Sequence, residues 1–138
     1  MKNKNSREYG MTLVELLVVV AMVAILSMIA YPNYSEYLQR ARRMDAKTAL
    51  QHIATMQERS FVTNFSYTSN LAQLGFLGNE TEDGFYVISV PTANIQGFQA
   101  IVVPAPGSPQ VKDSDCQQFT IDHQGARGAA PDPDGKCW

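Results

Sequence analysis

The sequence predicts an α+β protein: a long N-terminal helix kinked near Pro32, then a small antiparallel β-sheet head with a C-terminal loop bounded by two cysteines. Three observations carry this. Residues 11–30 (MTLVELLVVVAMVAILSMIA) hold a single charged group, Glu15. From about Tyr34 to Phe61 apolar residues recur at helical spacing among charged ones. Beyond Phe61 the chain turns to short β-rich runs bounded by Gly, Pro, Asn and Asp.

The first element is a polar leader, MKNKNSREYG, with Lys2, Lys4 and Arg7 against one acid, Glu8. Positive flanks stay in the cytoplasm, so the apolar run inserts with its N-terminus inside. Met11 to Tyr31 is 21 residues; as a helix it is about 31 Å long, close to the ~30 Å hydrocarbon core of a bilayer. A secretory signal peptide fits less well, because its apolar core is shorter and ends in an A-x-A-like site. A plain membrane anchor fits the length but gives no reason for Glu15. A carboxylate inside a membrane helix costs about 2.5–3.5 kcal/mol on insertion scales and marks a functional residue by default.

Gly10-Met11-Thr12-Leu13-Val14-Glu15-Leu16 resembles the class III signal of type IV prepilins, whose usual form is G-F-T-L-x-E. The resemblance implies cleavage between Gly10 and Met11 by a membrane prepilin peptidase, which then N-methylates the new terminus on Met11. Met11 stands where phenylalanine is usual. The resemblance also gives Glu15 a role in subunit assembly. Cleavage leaves a cationic amine on Met11, one helical turn from Glu15. In a low-dielectric setting the two attract strongly, within one chain or between the glutamate of one subunit and the amine of the next.

Pro32 follows the apolar run, and a proline at this spacing is a feature of the same family. In a helical pattern it kinks or loosens the helix. The helix is expected to resume from about Tyr34, with Tyr34, Leu38 and Ala41 and then Ala46, Leu50, Ile53 and Met56 or Gln57 forming the stripe that packs on the head. A polar connector from Thr63 to Asn70 leads to a short helix or turn over Leu71–Leu77. Strands are expected at Phe85–Val90, Phe98–Val103 and Phe119–Asp122, with Asn94–Gly97 as a hairpin turn, giving a three- or four-stranded antiparallel sheet laid on the helix.

Cys116 and Cys137 enclose 20 residues, which is not a CxxC metal or redox spacing. A single disulfide is the natural reading if this part of the chain lies outside the cytoplasm. Two free buried thiols are the alternative. Asp113-x-Asp115-Cys116-Gln117-x-Phe119-Thr120-Ile121-Asp122-x-Gln124-Gly125-Ala126-x-Gly128, ending Cys137-Trp138, resembles the tail of PilE-type minor pilins. Arg43-x-Asp45-Ala46-x-x-Ala49-Leu50 and Met56-x-Glu58-Arg59 match their helix. Heads of this family end in a disulfide-bounded loop, which maps onto Cys116–Cys137.

The resemblance implies the type IV pilin fold and three segments: a prepilin leader (1–10), a transmembrane and filament-core helix (11–31), and a periplasmic head that includes the amphipathic half of the helix (32–138). It implies a structural subunit, a minor pilin incorporated into or priming the filament, supporting pilus assembly, twitching motility and adhesion. The partners implied are major and minor pilins, prepilin peptidase, the inner-membrane assembly machinery and the inner membrane itself. The chain would sit in the inner membrane before assembly and on the pilus at the cell surface afterwards. The rival roles are a pseudopilin of type II secretion and a pilus-displayed receptor for DNA uptake or adhesion.

The formal charge of −2 disfavours nucleic-acid binding by bulk charge. Arg40, Arg42, Arg43 and Lys47 form the one basic cluster. It could meet DNA, lipid headgroups or acids of neighbouring subunits, and DNA is the lesser of these readings. Asp132-Pro133-Asp134-Gly135 has the look of part of a calcium loop but lacks the remaining ligands, so an exposed turn is the better reading. His52 and His123 have no Cys/His/Asp cluster beside them in sequence, and no G-x-S-x-G or phosphate-binding loop occurs. The sequence therefore predicts no enzyme, no metal and no cofactor.

Overall fold

A computed structural model describes residues 11–138; the leader with Gly10 lies outside the described residues. The chain opens with α1, Leu13–Asn64, 52 residues long. Thr12 is its N-cap: the Thr12 Oγ1 accepts from the Glu15 N–H at 3.2 Å, and the Thr12 carbonyl accepts from the Leu16 N–H at 3.1 Å. Helix assignment continues through Pro32. A proline removes one backbone hydrogen bond without ending a helix this long. α1 ends three residues later than the expected Phe61. Phe65 takes a left-handed conformation (φ 55°) and its N–H reaches the Phe61 carbonyl at 2.8 Å, the work a glycine usually does at a helix C-terminus.

The chain divides into two compact units, one ending at Tyr37 and the other Leu38–Trp138. In the first, every residue from Met11 to Tyr31 is exposed. The second holds a four-stranded antiparallel sheet in the order β1-β2-β3-β4, built from β1 (Tyr86–Ala93), β2 (Phe98–Pro104), β3 (Gln118–Asp122) and β4 (Arg127–Ala130). A single 3-10 turn, Pro109–Lys112, lies between β2 and β3. Alternate residues of the strands face the helix: Tyr86, Ile88 and Val90, then Phe98, Ala100 and Val102, then Phe119 and Ile121. They close on an α1 stripe of Ala46, Ala49, Leu50 and Ile53. Tyr34 and Ala41, expected in that stripe, are exposed. The buried face runs instead through Arg43, a charged residue that periodicity assigns to the outside.

Local chemistry explains the edges of the sheet. β1 is an edge strand whose pairing with β2 shifts register between Ser89 and Thr92; Pro91, with no N–H to give, sits in that bulge. The Asn94–Gly97 turn is where it was expected. The Asn94 side chain accepts from the N–H groups of Gln96 and Gly97. A Cβ on Gly97 would come within 2.5 Å of the His123 ring, so only glycine fits there. β4 had no sequence signature, since Arg-Gly-Ala-Ala is a poor strand former. It pairs with β3 because Gly128 lies opposite Thr120, where any Cβ would meet the Thr120 hydroxyl at 2.6 Å.

Cys116 and Cys137 form a disulfide, and both are buried against the sheet. Closing a loop of this length stabilises the fold by roughly 3 kcal/mol through the unfolded chain. Replacing both cysteines by serine is therefore expected to cost about 2–5 kcal/mol, read as a lower denaturant midpoint for the purified protein. A midpoint unchanged from wild type would show that the core alone holds the tail.

Candidate functional site

The functional residues expected from the sequence fall in separate places. Met11 and Glu15 lie at the start of α1 and are exposed. Thr12 joins them there, a residue singled out only by the capping geometry. Thr12-Leu13-Val14-Glu15 has the T-x-x-E pattern of a capping box, of which the bond from the Glu15 N–H to the Thr12 hydroxyl is formed, and that pattern is readable from sequence. A carboxylate in the first turn also faces the positive end of the helix dipole. Glu15 is thus placed at the helix start by two backbone effects before any partner is considered.

The second constellation joins α1 to the head. Arg43 is buried and donates to Asp113 through both Nε (2.7 Å, to Oδ2) and Nη2 (2.8 Å, to Oδ1). This bidentate, charge-assisted pair spans 70 residues of sequence. Asp113 follows the 3-10 turn, and Gln117 Nε2 donates to its carbonyl. Gln110, on that turn, donates to the Tyr86 hydroxyl at 2.7 Å and to the Gln39 carbonyl of α1 at 3.3 Å. The hydrogen bond to Asp113 holds the Arg43 pKa above its ordinary value despite the burial that opposes it. Burial pushes the Tyr86 phenol up to about 12. Tyr86 meets Phe119 edge-on at 5.9 Å, and Phe119 meets Trp138 at 6.0 Å. The network therefore runs from α1 through the sheet to the tail beside the disulfide. No sequence signal marks the pair, because the partners are distant and aspartate and arginine are each ordinary surface residues.

Two smaller polar contacts act the same way. Gln57, fully buried, exchanges two hydrogen bonds with the backbone of Thr68, at 2.6 and 2.9 Å. Asp45 accepts from the Thr81 hydroxyl at 2.5 Å.

The basic cluster is largely consumed by the head. Arg43 is buried in its ion pair, and Arg42 lies 5.2 Å over the Phe85 ring. Lys47 is half-buried, with its pKa lowered by burial and by Arg43. The Asp132–Gly135 segment is a turn: Asp132 accepts from the N–H groups of Lys136 and Cys137, and Asp134 pairs with Lys136 at 2.9 Å. Its carboxylates are engaged within the turn. Among the described residues no group of three or more His, Cys, Asp or Glu side chains could hold a metal.

A model of the prokaryotic N-terminal methylation motif matches residues 5–31. A family model described as type IV minor pilin ComP, DNA uptake sequence receptor, matches residues 32–120, well over half the chain. The chain belongs to the type IV pilin family. It is 32% identical over 131 residues to the type IV major pilin protein PilA of Myxococcus xanthus, covering 94% of this chain and 57% of that protein. This pilin thus spans a little over half the length of that relative. It is 34% identical over 89 residues to the type IV wide pilus major component PilA4 of Thermus thermophilus, covering 64% of this chain and 68% of that one. A type IV pilin structure from Shewanella oneidensis superposes with a TM-score of 0.50 at 29% identity, covering 72% of this chain and 97% of that one. The Neisseria meningitidis non-core minor pilin PilV shares the fold, with a TM-score of 0.53 at 18% identity over 68% of this chain and 88% of that one. The pilin assignment agrees with the long helix, the four-stranded sheet and the C-terminal disulfide.

Two outcomes follow, the first for the buried pair. Asp113→Ala strands a buried guanidinium and is expected to cost about 3–5 kcal/mol, whereas Arg43→Met with Asp113→Leu should cost much less, because removing both charges also removes their desolvation penalty. Urea titration of the three proteins distinguishes this from a pair whose attraction alone matters, for which the single and double variants would lose the same amount. The Tyr86 phenol supplies the second. Its folded pKa of about 12 lies above the unfolded value of about 10. Its contribution is full below pH about 10 and is lost as the pH rises toward about 12. Tyr86→Phe should flatten the fall in stability across that window; an unchanged slope would remove Tyr86 from the alkaline transition.

Proposed function

We propose that this pilin is a minor subunit of the PilE type, made as a prepilin, cut between Gly10 and Met11 and N-methylated on Met11. Residues 11–31 hold it in the inner membrane, with the N-terminus cytoplasmic and the head, residues 32–138, periplasmic. The same helix then enters the filament core, where Pro32 lets it bend. The observation that supports this most is the start of α1. One carboxylate, Glu15, stands in the exposed and otherwise uncharged first part of α1, residues 11–31, one turn from the amine that cleavage would create. A cationic terminus from the neighbouring subunit is the partner that offsets this charge in an apolar filament core, and the pairing sets the stagger between subunits. The partners are other pilins, prepilin peptidase and the inner-membrane assembly machinery, and the cellular roles are filament initiation, twitching motility and adhesion.

A second reading is a DNA-uptake receptor displayed on the pilus. It is favoured by the family model that covers residues 32–120, whose description is a DNA uptake sequence receptor. The exposed Arg127, 5.2 Å over the Trp138 ring, adds a cationic, aromatic surface near the disulfide. Such pairs suit phosphate and base contacts.

Glu15→Val is expected to leave membrane insertion and cleavage intact and to reduce the protein recovered in sheared pili by tenfold or more, about 1.4 kcal/mol of assembly free energy or greater. Mass spectrometry of purified pili reads this, and wild-type recovery of the variant would end the assembly role. For the receptor reading, binding of duplex DNA by the purified protein should weaken steeply between low and physiological salt; no binding at low salt removes it.

A further inference from the structure

We propose that Tyr31, Tyr34 and Tyr37 form an interfacial anchor that sets the depth of α1 in the outer leaflet before assembly, with the lipid headgroup layer as their partner. This rests on the reading of residues 11–31 as a membrane span. The three side chains are 77%, 61% and 67% exposed and lie within the first compact unit. At 100° per residue, a spacing of three places them on an arc of about 120°, rising about 9 Å along the axis.

Their position matches the dimensions of a bilayer. The 20 residues from Leu16 to Ser35 carry no charge. With residues 11–31 as the span, about 31 Å of helix fills the ~30 Å hydrocarbon core, so Tyr31 lies at its outer boundary and Tyr34 and Tyr37 lie beyond it. Glu15 and Glu36 bound this charge-free run, Glu36 lying five residues beyond the end of the span. Tyr31, Tyr34 and Tyr37 sit at the Glu36 end. The headgroup layer there is about 5–8 Å thick, half the difference between the full bilayer and its core, so the 9 Å ladder matches it. Tyrosine is suited to this depth: the ring is apolar and the hydroxyl needs water or a headgroup, which enriches it at membrane interfaces. The hydrocarbon side of the ladder is continuous with exposed apolar side chains, Leu26, Met28 and Ile29.

The tyrosines therefore oppose sliding in both directions. Moving α1 deeper buries hydroxyls without partners, and moving it outward exposes both the rings and the apolar turns behind them. A lysine or arginine could snorkel at the same place but would resist only one direction. A neutral anchor also leaves no charge to be stripped of water when the helix is later drawn out into a filament.

The test uses the full chain with a nitroxide on Met28→Cys, a position 77% exposed, while Cys116 and Cys137 stay bonded. Depth in phosphatidylcholine–phosphatidylglycerol vesicles is read from oxygen and nickel-complex accessibility at two protein-to-lipid ratios. Replacing all three tyrosines by serine is expected to displace the label by about 1.5–3 Å, one to two residues of helical rise. Replacing all three by tryptophan should leave it in place. An unmoved label in the serine variant overturns the anchor, as does a tryptophan variant that moves as far as the serine one. A displacement seen only at the high protein ratio would assign the tyrosines to a second copy and also overturn it. A label already in water in the otherwise unaltered chain would instead defeat the membrane-span reading beneath it.

Discussion

One helix must satisfy two environments, and the rest of this pilin is arranged around that constraint. From Met11 to Tyr31 every residue of the described chain is exposed, and all but Thr12, Glu15, Ser27 and Tyr31 are wholly apolar. From Arg43 onward the same helix is amphipathic, with Ala46, Ala49, Leu50, Ile53 and Gln57 buried beneath the sheet. An all-round apolar helix has no stripe to tell a head where to pack. The head must be positioned by the second half alone.

Apolar contact is a weak guide to register, since a sheet face of Ile, Val and Phe would accept a helix shifted by a turn. The polar contacts are selective. Arg43–Asp113 fixes the 3-10 turn to α1, Gln57 fixes the connector at Thr68, and Asp45 fixes the approach to β1 at Thr81. A shift of one turn would strand each of these buried groups, at about 1–3 kcal/mol for a neutral one and more for a charge. Their net stabilisation is modest, but the penalty against wrong packings is large. The disulfide and the chain of rings from Tyr86 through Phe119 to Trp138 then hold the tail to the same frame.

The sequence made legible whatever depends on local pattern. The apolar run, the isolated Glu15, the hairpin turn at Asn94–Gly97 and three of the strands follow from composition and spacing. The cysteine pair was readable in the same way, and the bond between Cys116 and Cys137 is present. What stayed hidden depends on contact between distant residues. Arg43 was assigned to a basic surface cluster because an arginine on a helix is usually solvated, and only Asp113, 70 residues away, makes its burial tolerable. β4 was hidden because its residues are poor strand formers, chosen for fit against Thr120. Thr12 is a different case: its capping pattern was present in the sequence and was overshadowed by the membrane reading of the same residues.

That overlap bears on the purpose of Glu15. Thr12 caps the first turn, worth about 1 kcal/mol, and the Glu15 charge at the helix N-terminus adds about 0.3–1 kcal/mol. Together these fall short of the roughly 2.5–3.5 kcal/mol that a carboxylate costs deep in a bilayer. They come closer to balance near a bilayer interface, where hydration lowers the cost. In a filament core that shelter is gone, because neighbouring helices replace both water and headgroups. Within-chain terms then cannot hold the charge, and a cation must be supplied. On the processing proposed above, a cut after Gly10 would create the Met11 amine one turn away on every subunit, and that amine would be the cation available. Under that proposal the same carboxylate would be tolerable in the membrane and in deficit in the filament until paired, which would give a helix leaving the bilayer a reason to stop at one register against its neighbour.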